Sequence, residues 1–297
     1  MARQVKFGGR HTLQKLEAIE DYLRAYTKVM KGQKFVTVFF DAFAGTGELA
    51  ARSEPPGLFD VEADERGLIE GSARRALRIN PGFDRYIFVE RMKGKAAELS
   101  GLKQEFESLA SRIGVVHGDA NDAVMKFCAT TDWRKTRAVM FLDPFGNQVS
   151  FETLRSIAGC PIDLWYLFPA GIGVNRQIGN DGAVVASAEP SLHRLFGTDD
   201  WREQFVRTES LPDLFGNSDV SIKQSSADDA TRFMIERMKG VFRGGVLDTW
   251  LPLGRDGAHW YSLIFAWGNP SANAGRIAQN IARHIMQRQS DGRPIRH

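Results

Sequence analysis

Five short runs of β-branched and aromatic residues recur along the chain: VTVFFD (36–41), YIFVE (86–90), VVHGD (115–119), RAVMFLD (137–143) and IDLWYLF (162–168). Such runs are too short for helices, and where both alternating faces are apolar they suit strands buried from both sides. Helix-forming stretches follow them, among them GSARRALRI, KAAELSGLKQEFESLA and a segment near 150–159. Alternation of strand and helix requires crossover connections, and crossovers make neighbouring strands parallel. A layered α/β fold around a mainly parallel sheet is therefore expected.

The flanking segments complete the pattern. At 11–31, Leu13, Leu16, Ile19, Leu23, Tyr26 and Met30 recur at helical spacing between charges, which predicts an N-terminal helix stopped by Gly32. Near the other end, GVLDTWLPLG (245–254) and HWYSLIFAWGN (259–269) flank the short turn RDGA, which implies an antiparallel pair. A last helix is expected from Ala272 to Gln287, and the polar stretch 172–244 reads as a helical insertion. Without repeats, low-complexity tracts or linkers, the expectation is one domain over 1–297. Its parts are a core at 32–171, the insertion at 172–244 and the hairpin with its helix at 245–297. A seven-stranded sheet of this kind, parallel but for a terminal antiparallel hairpin, is Rossmann-like and binds ligands at the carboxyl ends of its strands.

Composition narrows the function classes. At 43% hydrophobic and 25% charged residues the chain has material for a full core. Its 39 Lys+Arg against 36 Asp+Glu give a net charge of +3, which permits an anionic partner without demanding one. Two cysteines, Cys128 and Cys160, offer neither a disulfide framework nor CxxC spacing, and six scattered histidines offer no metal-binding pair. No metal site is expected. The N-terminus runs from basic residues into a charged amphipathic stretch, and the longest apolar run, IDLWYLFPAGIGV, is interrupted by Asp163, Pro169 and glycines. A soluble, cytoplasmic protein without membrane association is expected.

Chemistry is concentrated at the strand ends. In Asp41-Ala-Phe43-Ala-Gly45-Thr-Gly47 the glycines let the backbone turn sharply towards a ligand, and a helix expected near Glu48 presents free N–H groups. A plain glycine turn behind an acidic strand end would look the same. Glu90 can accept both hydrogens of a ribose diol, although it lies farther from the glycines than the usual ~20 residues, or it is a solvated strand-end acid. Asp119 can accept from an exocyclic amine while the backbone amide of Ala120 serves a ring nitrogen; Asp119 equally suits an N-cap. Asp143-Pro144-Phe145-Gly146 delivers a carboxylate from an apolar strand, then a stiff turn, then an aromatic ring. That set can direct the lone pair of a target amine and stack on a planar base; a capped turn with a core Phe is the alternative.

Taken together, DAFAGTG, YIFVE, GDAND and FLDPFG resemble the ordered motifs of class I S-adenosylmethionine (SAM)-dependent methyltransferases over roughly residues 36–171. DPFG is similar to the D/N-P-P-Y/F motif of amino-methyltransferases acting on nucleic-acid bases, and closer to the Asp-Pro-Phe-Gly of tRNA guanine-N2 methyltransferases. At finer grain, KLEAIEDYLRAYTKVM, FFDAFAGTGE, GSARRALRI, AVMFLDPFGNQVSFETL, IDLWYLFPAGIGVNR and LFGTDDWREQF resemble the three-Cys-motif partner protein (TcmP) family over most of the chain. The resemblance implies a class I methyltransferase fold and SAM as cofactor, held by Asp41, Phe43, Gly45, Gly47, Glu90, Asp119 and Ala120. It implies Asp143, Pro144 and Phe145 as the catalytic group, with Gly146, Asn175 and Arg176 towards the substrate. The family resemblance also implies a partner bearing a three-cysteine motif without fixing a substrate, while the likeness of DPFG to base-methylating enzymes points to DNA or RNA as the acceptor. The alternative is a partner-dependent subunit that transfers nothing alone. An NAD-dependent dehydrogenase fits less well, since no Tyr-Lys or His constellation accompanies the glycines.

Overall fold

The computed structural model describes residues 10–46, 71–179, 181–213, 216–255 and 257–290. Gly47, the helix expected near Glu48, the loop 48–66 and the tail beyond Ser290 lie outside the described residues. The first half runs α1 (Arg10–Met30), β1 (Val36–Asp41), α2 (Ser72–Leu77), β2 (Arg85–Glu90), α3 (Lys93–Ser100), α4 (Leu102–Glu105), β3 (Ile113–His117), α5 (Ala120–Thr130), β4 (Thr136–Leu142), α6 (Phe151–Ala158) and β5 (Ile162–Phe168). The second half runs α7 (Glu189–Phe196), α8 (Trp201–Phe205), β6 (Val206–Asp213), β7 (Gly216–Lys223), α9 (Ala227–Lys239), β8 (Gly245–Val246), β9 (Leu251–Arg255), β10 (Ala258–Trp267) and α10 (Ala272–Ser290).

The main sheet has the order β3-β2-β1-β4-β5-β10-β8, and β9 also pairs with β10. The first five strands pair in parallel, while β10 runs antiparallel to β5, β8 and β9. This is the expected Rossmann-like arrangement, a mostly parallel sheet that ends in antiparallel strands. The order reverses between β1 and β4, the position where such sheets open a ligand crevice. The first arm of the hairpin is interrupted: β8 pairs at Trp267 and Ala266, and β9 pairs from Leu263 to Ala258 with an irregularity between His259 and Tyr261. Both short strands occupy one edge of β10.

Helices cover both faces, as strands apolar on both sides require. On one face Phe40, Met140 and Tyr166 pack against α5, α6, α7 and α9. On the other, Phe39, Phe141 and Trp165 pack against α1, α2 and α10. Trp165, fully buried, meets Tyr22 of α1 edge-on at 5.3 Å and Phe265 at 5.0 Å. Burying a side chain of this kind stabilises by roughly 1.5–3 kcal/mol, so these contacts hold α1 firmly on the sheet.

The insertion is helical in α7, α8 and α9, and it also carries the antiparallel ribbon of β6 and β7. VRTESLPD and GNSDVSIK have few apolar residues, so no alternating pattern announces a strand. After β5 the chain makes a single wide turn at Ala170–Val174. A Cβ on Gly171 would lie 2.0 Å from the His259 carbonyl oxygen, so β10 can approach this turn only because the residue is glycine. Gly171→Ala is expected to destabilise the fold by about 1–3 kcal/mol through overpacking, measured by urea unfolding. An unchanged midpoint would show that β10 can yield.

Candidate functional site

The carboxyl ends of β1 to β4 open onto a cleft of about 450 Å³. Phe43 lines it from the turn after β1, Glu90 from the end of β2, Asp119 and Ala120 from the turn after β3, and Asp143 and Phe145 from the segment after β4. The volume lies in the range of small-molecule sites. Residues separated by more than a hundred positions in sequence thus share one wall.

Local structure explains each position. Glu90 Oε1 accepts from the Met92 N–H at 2.7 Å, which turns the chain away from the sheet. Asp119 is the N-cap of α5: its Oδ1 accepts from the N–H groups of Asn121 at 2.8 Å and Asp122 at 3.4 Å. The capping role and a position on the cleft therefore coexist. Pro144 is buried, whereas Phe145 is 48% exposed, an unusual state for a phenyl ring. Gly146 adopts φ +70°, and the Phe145 N–H donates to Gln148 Oε1 at 3.2 Å, closing the turn. Asp143 Oδ2 accepts from Lys15 Nζ at 2.6 Å, an ion pair reaching across from α1. Lys15 is not among the cleft-lining residues, so it holds Asp143 from outside the cavity.

Asp41 is positioned differently from the sequence expectation. It is fully buried and does not line the cleft. Its Oδ1 accepts from the Phe43 N–H at 3.1 Å and its Oδ2 from the Ser72 hydroxyl of α2. Burial pushes its carboxyl up to about 7; the Ser72 and Phe43 hydrogen bonds and the Lys15 charge pull it back, while the Asp143 charge adds to the rise. Asp41 thus fixes the turn that presents Phe43. Gly45, at φ +62°, continues that turn, and Gly47 lies outside the described residues.

Asn175 and Arg176 follow the wide turn after β5, and neither lines the cleft. Lys223 Nζ donates to the carbonyls of Asn175 and Ile178, tying the ribbon to this loop. Arg176 is exposed, and its charge and that of Asp143 both reach Tyr261 of β10. Electrostatically, then, Arg176 shares a neighbour with the cleft without entering it.

Several cleft residues escaped the sequence reading. Arg91, Met92, Lys95, Gln148 and Arg194 line it with Asn121. Arg91 and Met92 directly follow Glu90, so the strand-end rule could have found them; nothing in the sequence connects Arg194 of α7 to β4. Asn121 is a strut. Its Nδ2 donates to the Gln148 carbonyl at 3.0 Å, and its Oδ1 accepts from the Ser150 N–H at 3.0 Å and the Thr153 hydroxyl at 2.7 Å.

A second constellation has the distances of a nucleophilic triad: Asp228 Oδ1 to His259 Nδ1 at 3.1 Å, and His259 Nε2 to Ser262 Oγ at 2.9 Å. Ser262 is fully buried and shares its hydroxyl with Thr231 at 2.6 Å, so no substrate reaches it. The group joins α9 to β10. Among the described residues no group of three or more His, Cys, Asp or Glu could hold a metal ion, and no helix is long and apolar enough to cross a membrane.

No family model and no curated protein matches the chain. Solved structures resemble it at low identity. A protein of Legionella pneumophila str. Philadelphia 1 is 14% identical over 81% of this chain and 94% of that one, with a TM-score of 0.39. An O-methyltransferase from Bacillus cereus in complex with SAH is 12% identical over 69% and 80%, at 0.35. Magnesium protoporphyrin IX methyltransferase from Synechocystis PCC 6803 with bound SAM is 12% identical over 75% and 87%, at 0.33. The strand order itself establishes the fold, and nothing about the site follows from these likenesses.

Proposed function

We propose that this chain binds SAM in the β1–β4 cleft and transfers its methyl group to an amine of a nucleic-acid base, as a cytoplasmic member of the TcmP family working with a three-cysteine partner. The observation that carries the reading is the convergence of Glu90, Asp119 and Asp143, from the ends of β2, β3 and β4, on one cleft. The donor set fits the cofactor. Glu90 has a second carboxylate oxygen for ribose hydroxyls, and Asp119 keeps Oδ2 for an exocyclic amine while Oδ1 caps α5. SAM, when bound, supplies a methyl group made electrophilic by its sulfonium.

This chain's own residues orient the acceptor. The exposed Phe145 ring offers a stacking face for a planar base, and the Asp143 carboxylate accepts from its amine. Orientation of this sort accounts for most of the acceleration available to an in-line transfer. Arg91, Lys95 and Arg194 add cationic charge to the cleft, which suits a phosphate-bearing substrate. One observation favours the partner-dependent reading: Lys15 already occupies Asp143 Oδ2. A partner that draws the Lys15 side chain away would free that oxygen.

The test is isothermal titration of the purified chain with SAM and S-adenosylhomocysteine, beside Glu90→Ala. Micromolar binding, weakened at least about tenfold in the variant, is expected, since a lost charged hydrogen bond is worth roughly 1.5–3 kcal/mol. A folded chain that binds neither compound, alone or with the three-cysteine protein, would sink the reading.

A further inference from the structure

A second cavity, of about 360 Å³, lies at the opposite end of the sheet from the cleft. Tyr22 and Tyr26 of α1, Phe35 before β1 and Trp267 at the end of β10 supply aromatic walls, and Ile277 and Ile281 of α10 close the other side. Asp163, the second residue of β5, lines it as well. Its carboxylate accepts from the Tyr22 hydroxyl at 2.7 Å, and no ion pair among the described residues neutralises it. The other nearby charge is already engaged. Arg137 lies 3.8 Å over the Phe35 ring and donates to the Trp133 and Thr136 carbonyls at 2.8 and 2.7 Å.

An uncompensated carboxylate among aromatic faces is an energetic liability that a cation relieves. A charged amine would gain both the ion pair and the electrostatic attraction of the Tyr and Trp ring faces. The volume admits a small molecule rather than a folded partner. We propose that this cavity is a binding site for a small organic ammonium ion with an aromatic or aliphatic body, its charge on Asp163 and its body against Tyr26 and Trp267. The site is independent of the SAM cleft and of the function proposed for it.

Burial pushes the Asp163 carboxyl up to about 6, while the Tyr22 hydroxyl holds it down. Ammonium binding should therefore strengthen as pH rises through about 6 and the carboxylate ionises. The facing groups do not titrate in this range: burial raises the Tyr22 and Tyr26 hydroxyls further above their ordinary range, Arg137 stays cationic so that its repulsion of an ammonium ion is constant across the window, and α10 presents no titratable group to the cavity.

The experiment uses phenethylammonium and its neutral isostere, phenethyl alcohol, titrated into the whole chain by calorimetry. Phenethylammonium is expected to bind at least about tenfold tighter than the alcohol, a difference of about 1.4 kcal/mol. In Asp163→Asn the two should bind alike, and in Ala274→Trp, which fills the cavity and keeps the carboxylate, neither should bind. Thermal unfolding of both variants identifies a folding defect, in which case the comparison of the two ligands on the unaltered chain decides. Equal affinities there, or no saturable binding of the amine at millimolar concentration, would overturn the proposal.

Discussion

Exchanging Asp143 for alanine is expected to lower methyl transfer by about a hundredfold and to weaken the fold by about 1–3 kcal/mol. The rate effect follows from the position of the carboxylate on the cleft wall beside the exposed Phe145 ring. The stability effect follows from Lys15, whose side chain is only 13% exposed and would be left without its partner. Lys15→Met separates the two. It removes the ion pair and frees the carboxylate, so it should weaken the fold without the loss of rate expected of Asp143→Ala. In a double-mutant cycle the doubly substituted chain should be destabilised by less than the sum of the single changes, because both remove one interaction. Strict additivity in urea unfolding would show that the two side chains do not interact. A transfer rate in Asp143→Ala within about twofold of the parent's would remove the carboxylate from the chemistry.

Asp41→Asn is expected to change how stability depends on pH by on the order of 4 kcal/mol. In the folded chain the carboxyl is pushed from an ordinary 3.8 up to about 7, so the fold binds this proton more tightly than the unfolded chain does. The resulting stabilisation is complete below about 3.8, declines as pH rises, and is gone above about 7. Asparagine cannot titrate, yet it can accept from the Phe43 N–H and donate to the Ser72 hydroxyl, so the turn should survive. The difference in unfolding free energy between parent and variant should therefore drift steadily across this window. Parallel curves would mean that Asp41 is ionised and compensated in the fold. SAM affinity should stay within about threefold in the variant, in contrast to Glu90→Ala, because Asp41 does not face the cleft.

Strand positions and the acids that close them were legible because burial from both faces leaves a continuous apolar run, and each run must stop somewhere polar. Glu90, Asp119 and Asp143 are found by that rule, and all three face the cleft. Asp41 obeys the same rule and behaves otherwise. Sequence locates it at a strand end, but only the packing of α2, which brings Ser72 against it, turns the carboxylate inward. Lys15 was not legible as a site residue. Its helix was expected from apolar spacing, while the residue it meets lies 128 positions away. The ribbon of β6 and β7 was invisible for another reason: a strand pair defined by backbone bonds leaves no hydrophobic period to read.

The Asn121 amide carries a consequence for energetics. It stands in the first turn of α5, two residues after Asp119, and grips the segment that follows Phe145 through Gln148 and Ser150. The two ends of the cleft are thus joined by one side chain rather than by separate loops. Anything that orders one end has already met part of the entropic demand of ordering the other. By reciprocity, whatever factor a ligand at the Asp119 end lends to one at the Phe145 end must be returned in equal measure.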